Sequence, residues 1–324
     1  MLIPVLLFIV GLVLLIKGGD WFVDGAVGIA HRYNIPEILI GATVVSIGTT
    51  IPEVLVSSIA AGLGQSQTAY GNAIGSVICN TSLIAAITIT AVPADHVNTK
   101  TFRVPVFFFF GAAIFYSVVA YATGQFARII GLILLSVFVV YMIINIKKAF
   151  GGELALDEEN DEEEAKENPL WKDLLFLVLG AAVIAVGADF LVENGKIIAE
   201  WFGVPESVIA LTFVALGTSL PELVTAITSL IKGHGSLSLG NIVGANLFNI
   251  VLVSGLAITI KPFGIPAEKM IAGRNASLVI DIPVMFAVMA LMTVPALAKK
   301  RLYRWQGIIL LCIYAAYVCF QFFF

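Results

Sequence analysis

The sequence predicts an all-α polytopic membrane protein with ten transmembrane helices, built as two inverted-topology repeats of five. Three observations lead there: a composition too apolar for a water-facing surface, successive runs long enough to cross a bilayer, and a set of polar motifs that recurs at one constant offset. Of 324 residues, 59% are hydrophobic and 12% charged, with a mean hydropathy of +1.00. Soluble domains carry about 25% charged residues. Eighteen basic and 22 acidic side chains cannot cover a soluble fold of this size, and eight of the acids crowd into the stretch from Asp157 to Glu167. That stretch, with eight acids and a single lysine, more than accounts for the net charge of −4. There is no basic, aromatic-interleaved patch, so no nucleic-acid partner is expected, and the lipid bilayer is the expected surrounding. Cys79, Cys312 and Cys319 fall in apolar runs without paired or metal-type spacing and read as packing residues. The start, Met1-Leu2-Ile3-Pro4, lacks the basic region of a cleavable signal, so the first apolar run reads as a retained span.

A helix needs about 20 apolar residues to cross the hydrocarbon. Spans are expected near residues 2–30, 36–62, 71–92, 102–122, 127–147, 171–200, 205–231, 240–260, 275–297 and 303–322. Short turns such as His31-Arg32-Tyr33-Asn34, Gly64-Gln65-Ser66 and Lys232-Gly233-His234-Gly235 separate them. One connection differs in kind. Residues 148–170 contain a like-charge block from Asp157 to Glu164, expected to be a solvated linker; it divides a first repeat, 1–147, from a second, 171–324. The block lacks the glycine and alternating ligand spacing of a calcium-binding hand. Basic residues near the span ends give the orientation. Twelve Lys and Arg lie on the side of connections 1–2, 3–4, 5–6, 7–8 and 9–10, against five on the other. The expectation is a multi-pass protein of the cytoplasmic membrane with both termini outside and the acidic loop inside.

The halves repeat each other. Asp20 matches Asp189, Pro36 matches Pro205, Glu53 matches Glu222, Gly71 matches Gly240 and Asn80 matches Asn249, every pair 169 positions apart. No gap is needed over some 70 residues. Each half holds an odd number of expected spans, so the second copy enters the membrane upside down. Inverted repeats of this kind belong to secondary transporters, whose binding sites lie at the midplane between the copies.

Within the repeat, the second span of each half reads Gly48-Thr49-Thr50-Ile51-Pro52-Glu53 and Gly217-Thr218-Ser219-Leu220-Pro221-Glu222. Each proline lacks the N–H that the carbonyl four residues back requires, and its ring crowds that turn. A kink is therefore expected, with carbonyl oxygens around Gly48-Thr49 and Gly217-Thr218 left to line a polar cavity. Glu53 and Glu222 supply charge that costs about 2.5–3.5 kcal/mol each at mid-membrane. Within about 5 Å of one another they would also repel by roughly 3 kcal/mol at an effective dielectric of 20. A bound cation or a proton cancels both penalties. The next span of each half opens Gly71-Asn72-Ala73-Ile74-Gly75-Ser76-Val77-Ile78-Cys79-Asn80 and Gly240-Asn241-Ile242-Val243-Gly244-Ala245-Asn246-Leu247-Phe248-Asn249. Ser76 and Asn80, like Thr49 and Glu53, share a helix face at i and i+4. Carboxylate, carbonyl, hydroxyl and amide oxygens without His or Cys suit calcium, magnesium or alkali ions, so small inorganic cations are the expected partners.

Each element alone has a plainer explanation: proline as a simple kink, Gly71-x-x-x-Gly75 as packing, a single buried glutamate as a protonated structural group. The complete set occurring twice is what argues for chemistry. Asp20, Asp24, Asp189 and Glu193 lie toward span ends and read as interfacial. Asp281 has no repeat partner and reads as structural or lumen-facing. His31, His96 and His234 fall in separate turns and form no metal set or catalytic triad. No enzyme is expected, since no nucleophile and base stand in register, and a non-transporting scaffold has no use for duplicated buried carboxylates.

The paired Gly-Thr-Thr/Ser-x-Pro-Glu segments, each followed by Gly-Asn-x-x-Gly-x-x-x-x-Asn, resemble the alpha repeats of the sodium/calcium exchanger family, within the calcium/cation antiporter superfamily. The likeness extends to the ten spans and the central loop and is nearest the prokaryotic calcium/sodium antiporter branch. The resemblance implies that Glu53 and Glu222 ligate calcium with the backbone carbonyls of Thr49 and Thr218. It implies overlapping sodium sites drawn from the same glutamates, Ser76, Asn80, Asn249, the hydroxyls of Thr49, Thr50, Thr218 and Ser219, and the carbonyls of Ser46 and Ala215. It further implies electrogenic exchange of three sodium ions for one calcium, no cofactor beyond the transported ions, and a monomer. Ala245 stands where many members have Ser, which removes a hydroxyl from one expected sodium site. Asn249 stands where potassium-dependent members have Asp, so no potassium cotransport is expected. A proton/calcium exchanger using the same glutamates is the alternative.

Overall fold

The computed structural model describes residues 2–94, 96–150, 169–203, 217–266, 270–271 and 273–323. Its helices are α1 (Leu2–Arg32), α2 (Glu37–Leu63), α3 (Ser66–Ala91), α4 (Thr99–Thr123), α5 (Arg128–Ala149), α6 (Leu170–Trp201), α7 (Leu220–Ile231), α8 (Gly235–Ile260), α9 (Ser277–Lys299) and α10 (Arg304–Phe323). Eight of them, α1 to α6, α8 and α9, are long and apolar enough to cross a membrane. The helix α7 is shorter, and residues 204–216 before it, where the seventh span is expected to begin, lie outside the described residues, as do Ala215 and the acidic block. The chain is predominantly helical, and its few strand residues are confined to short pairings. Two-residue antiparallel ladders join Gln125–Phe126 to Phe263–Gly264 and Met270–Ile271 to Arg274–Asn275. They lie in the connections between helices, where backbone groups that have left the helical pattern still need partners.

The chain forms two compact units, each drawn from both halves of the sequence. The first comprises Met1–Thr49 and Ile144–Asn241, the second Thr50–Ile143 and Ile242–Phe324.

In the first unit α1 lies against α6, backbone to backbone. Gly11, Gly18 and Gly25 recur at intervals of seven on α1, as do Gly180 and Gly187 on α6. A Cβ at Gly25 would sit 2.5 Å from the Asp173 carbonyl oxygen and the Leu177 amide nitrogen. Small residues of this kind permit close helix approach in lipid. Phe22, Val23, Ala26, Ile184 and Leu237 fill the core of the unit. At one end of the pair, Arg32 Nε is 3.8 Å from the buried Asp173 carboxylate. The helix α7 is tied to α1 by Lys232, whose Nζ donates to Asp24 Oδ1 at 2.7 Å and to the Asp20 carbonyl at 3.1 Å. Asp20 and Asp24 thus have a specific basic partner, which their span-end position alone did not indicate.

The histidines also differ from expectation. His31 is the penultimate residue of α1 rather than part of a turn, and with His234 it gathers on one carboxylate. His234 Nδ1 is 2.6 Å and His31 Nε2 3.9 Å from Glu37 Oε1. Turns remote in sequence meet because α1, α2 and α8 end or begin at the same place. Among the described residues no group of three His, Cys, Asp or Glu is arranged to hold a metal.

The second unit has an aromatic core. Tyr116 stacks on Phe126 with centroids 4.4 Å apart, and Phe138 and Tyr141 meet Phe248 edge-on at 5.1 and 5.8 Å. Ile129, Leu132, Val139 and Val140 leave α5 with an exposed apolar face, as lipid contact requires. The helices α3 and α8 repeat one another in local structure. Ser66–Cys79 is α-helical and passes into a π-helical turn at Asn80–Ala85; Gly235–Phe248 is α-helical and passes into one at Asn249–Val253. Both boundaries keep the sequence offset of 169.

Candidate functional site

The two Pro-Glu motifs take different backbone forms. In α2, four α-helical residues are followed by a π-helical turn at Gly41–Val45, and the α-helix then runs from Ser46 to Leu63 with Pro52 inside it. The irregularity therefore precedes the proline by more than a turn. Proline removes one hydrogen bond, to Gly48, and the helix tolerates that. The widened turn instead places the Ser46 hydroxyl 2.7 Å from the Gly41 carbonyl and 3.0 Å from the Asn241 carbonyl. In the second motif Thr218 and Ser219 form a turn, and α7 starts at Leu220 with Pro221 in its first turn. There a missing N–H leaves no helical bond unmade. Glu222 also falls in that first turn, where the helix dipole and free N–H groups favour a negative charge.

Of the sequence-predicted residues, the first unit holds Ser46, Thr49, Thr218, Ser219 and Glu222. Thr218 is half-buried and the others are buried, Glu222 with 0% of its surface exposed. The structure adds Asn241, fully buried on α8, which sequence reasoning passed over although it stands in the Gly-Asn motif. The Thr49 hydroxyl donates to Asn241 Oδ1 at 3.2 Å. A signal was available: Asn241 is the repeat mate of Asn72, at the same offset of 169. The Ser219 hydroxyl and Asn241 Nδ2 are buried and make no hydrogen bond within the described residues.

The second unit holds Thr50, Glu53, Ser76, Asn80 and Asn249, all buried, Glu53 with 0% exposure. Asn72 braces the turn that carries Glu53. Its Nδ2 donates to the Glu53 carbonyl at 3.2 Å and to Ser57 Oγ at 2.8 Å. Asn249 Nδ2 donates to the Ala245 carbonyl at 3.1 Å, leaving Oδ1 unbonded among the described residues. The Thr50 hydroxyl and both amide atoms of Asn80 are likewise buried and unbonded there. Leaving such a group unsatisfied costs about 1–3 kcal/mol. These oxygens fit a hard cation, which prefers carboxylate, amide and hydroxyl ligands. Asn80 and Asn249 open the π-helical turns of α3 and α8, a local form common at functional sites. Asp281 is held instead by Tyr317, whose hydroxyl is 3.1 Å from Oδ1, and Gln321 at 3.2 Å.

The sequence as a whole matches a known family over most of its length. The profile of the sodium/calcium exchanger protein family matches residues 3–147 and 172–323. The chain belongs to that family. Among its relatives are a putative antiporter, CaxA, of Alkalimonas amylolytica, 34% identical over 98% of each chain, and the sodium/calcium exchanger MaX1 of Methanosarcina acetivorans, 32% identical over 98% of each. A solved structure of the sodium-calcium exchanger NCX_Mj soaked with sodium and without calcium superposes with a TM-score of 0.80. Its sequence identity is 29%, and the match covers 98% of this chain and 99% of that one. The family is one of membrane cation antiporters, a transporter class rather than a catalytic one.

Proposed function

We propose that this chain exchanges sodium for calcium across the cytoplasmic membrane by alternating access, with net movement of charge. In this reading it has ten spans in two inverted repeats, its termini lie outside and residues 148–170 inside. Glu53 and Glu222, with the carbonyls of Thr49 and Thr218, take calcium. Sodium draws on the same glutamates and on Ser46, Thr49, Thr50, Ser76, Asn80, Ala215, Thr218, Ser219 and Asn249.

The observation that carries the reading is the complete burial of Glu53 and Glu222, at repeat-equivalent positions of apolar helices. Charge on two such buried carboxylates is stabilised by a bound cation or a proton. An empty carrier that reoriented would drag both charges through hydrocarbon, at about 2.5–3.5 kcal/mol each. A loaded one is neutralised. Sodium and calcium drawing on shared ligands exclude each other, so each half-cycle carries one kind of ion, which is antiport.

The test is calcium flux into proteoliposomes under an imposed sodium gradient. Sodium-driven uptake is expected, and Glu53→Gln or Glu222→Gln is expected to abolish it while the protein stays folded. Wild-type flux in either variant refutes the site. Uptake indifferent to sodium and driven by a pH gradient identifies a proton/calcium exchanger instead.

A further inference from the structure

Hydroxyl groups in membrane helices usually settle on the carbonyl one turn back. Among the described residues eight do so, each with a bond to residue i−4. Thr225 and Ser229 on α7 do not. Both have 0% exposure, yet neither hydroxyl has a hydrogen-bond partner among the described residues. Their i−4 acceptors are the carbonyls of Pro221 and Thr225, and neither bond is made. Among the described residues, the other buried, unbonded Ser and Thr hydroxyls are Thr50 and Ser219, in the candidate site, and Thr90 and Thr101, close to helix ends.

Thr225 and Ser229 stand three and seven residues after Glu222, so all three lie on one face of α7. At 1.5 Å per residue, the row reaches about 10 Å from the carboxylate toward the helix's C-terminal end. There α1 lies over the same turns: a Cβ at Gly19 would sit 2.8 Å from Thr228 Oγ1, and Lys232 binds Asp24. In the first repeat the equivalent positions are Val56 and Ala60, and the buried Ser57 one turn after Glu53 is hydrogen-bonded to Asn72. The row of unbonded hydroxyls is therefore particular to the second copy. At membrane depth, polar groups without a protein partner are tolerated where they line a water-filled cavity.

We propose that the hydroxyls of Thr225 and Ser229 continue the cation path from Glu222 toward the C-terminal end of α7, where they are covered in the conformation seen here. The proposal rests on the antiport reading and adds the route by which ions reach the site from one face.

Two measurements on the full-length protein in proteoliposomes test it. The variant Thr225→Val/Ser229→Ala removes both oxygens at nearly constant volume. Turnover is expected to fall about tenfold, while the half-saturation for calcium and sodium and the calcium-induced rise in Tm change less than about twofold. Unchanged turnover, or weakened calcium binding at equilibrium, overturns the proposal. Independently, Thr225→Cys and Ser229→Cys are each treated with a membrane-impermeant methanethiosulfonate reagent, against the background of Cys79, Cys312 and Cys319 in the unsubstituted protein. Modification from one face only is expected. No modification under any sodium or calcium condition overturns the row, whatever the double variant does. If the unsubstituted protein shows no sodium-driven calcium flux, the antiport reading fails by itself, and the labelling still decides whether water reaches this face of α7.

Discussion

At the residue scale, a hydroxyl that ligates a cation must direct its proton elsewhere. Thr49 does so toward Asn241 Oδ1, at 3.2 Å, which leaves its lone pairs for an ion. In the proposed site the Thr49 hydroxyl serves sodium and the Thr49 carbonyl serves calcium. Asn241→Ala should therefore raise the half-saturation for sodium about fivefold, the worth of roughly one hydrogen bond, and leave that for calcium–calcium exchange within about twofold. Parallel changes in both would mean that Asn241 acts on the whole site. Its repeat mate Asn72 has a different task, donating to the carbonyl of Glu53 and to Ser57. Equivalent positions in sequence thus do unlike work, because Thr49 and Glu53 present different groups to them: a hydroxyl proton in one case, a carbonyl oxygen in the other.

At the element scale, the proline motifs were legible and their consequences only partly so. Proline states which N–H is missing; it does not state where the helix will absorb the defect. In α2 the widened turn forms at Gly41–Val45, upstream of Pro52, whereas in the second copy α7 begins at Leu220. The π-helical turns at Asn80 and Asn249 had no sequence signature beyond the asparagines themselves. The packing of α1 on α6 was not read from the sequence; the glycines spaced by seven acquire meaning once the structure shows what they touch. Gly25→Ala should destabilise the protein by about 1–3 kcal/mol through overpacking, read as a lowered Tm in detergent. An unchanged Tm would mean that the helices part there without penalty.

At the scale of the whole molecule, the proposed stoichiometry moves one charge per cycle, worth about 2.3 kcal/mol per 100 mV. A diffusion potential of 100 mV, positive inside vesicles loaded with sodium, should raise the calcium gradient sustained at equilibrium about 50-fold. A gradient insensitive to potential would make the exchange electroneutral, as two sodium ions per calcium would be. The missing hydroxyl at Ala245 makes this measurement the more informative.

Membrane residence, the offset of 169 between the halves and the two glutamates that the structure buries were written in the linear chain. Each rests on counting, of apolar runs against bilayer thickness and of residues against a fixed offset, and counting needs no coordinates. Tertiary structure decided which neighbours hold those groups: Asn241 beneath Thr49, Asn72 behind Glu53, Lys232 on Asp20 and Asp24, two histidines on Glu37. These contacts join segments up to 212 positions apart, and hydrogen bonding acts over about 3 Å. Only the packing of helices brings such groups within reach, and that packing depends on many small apolar contacts at once rather than on any motif.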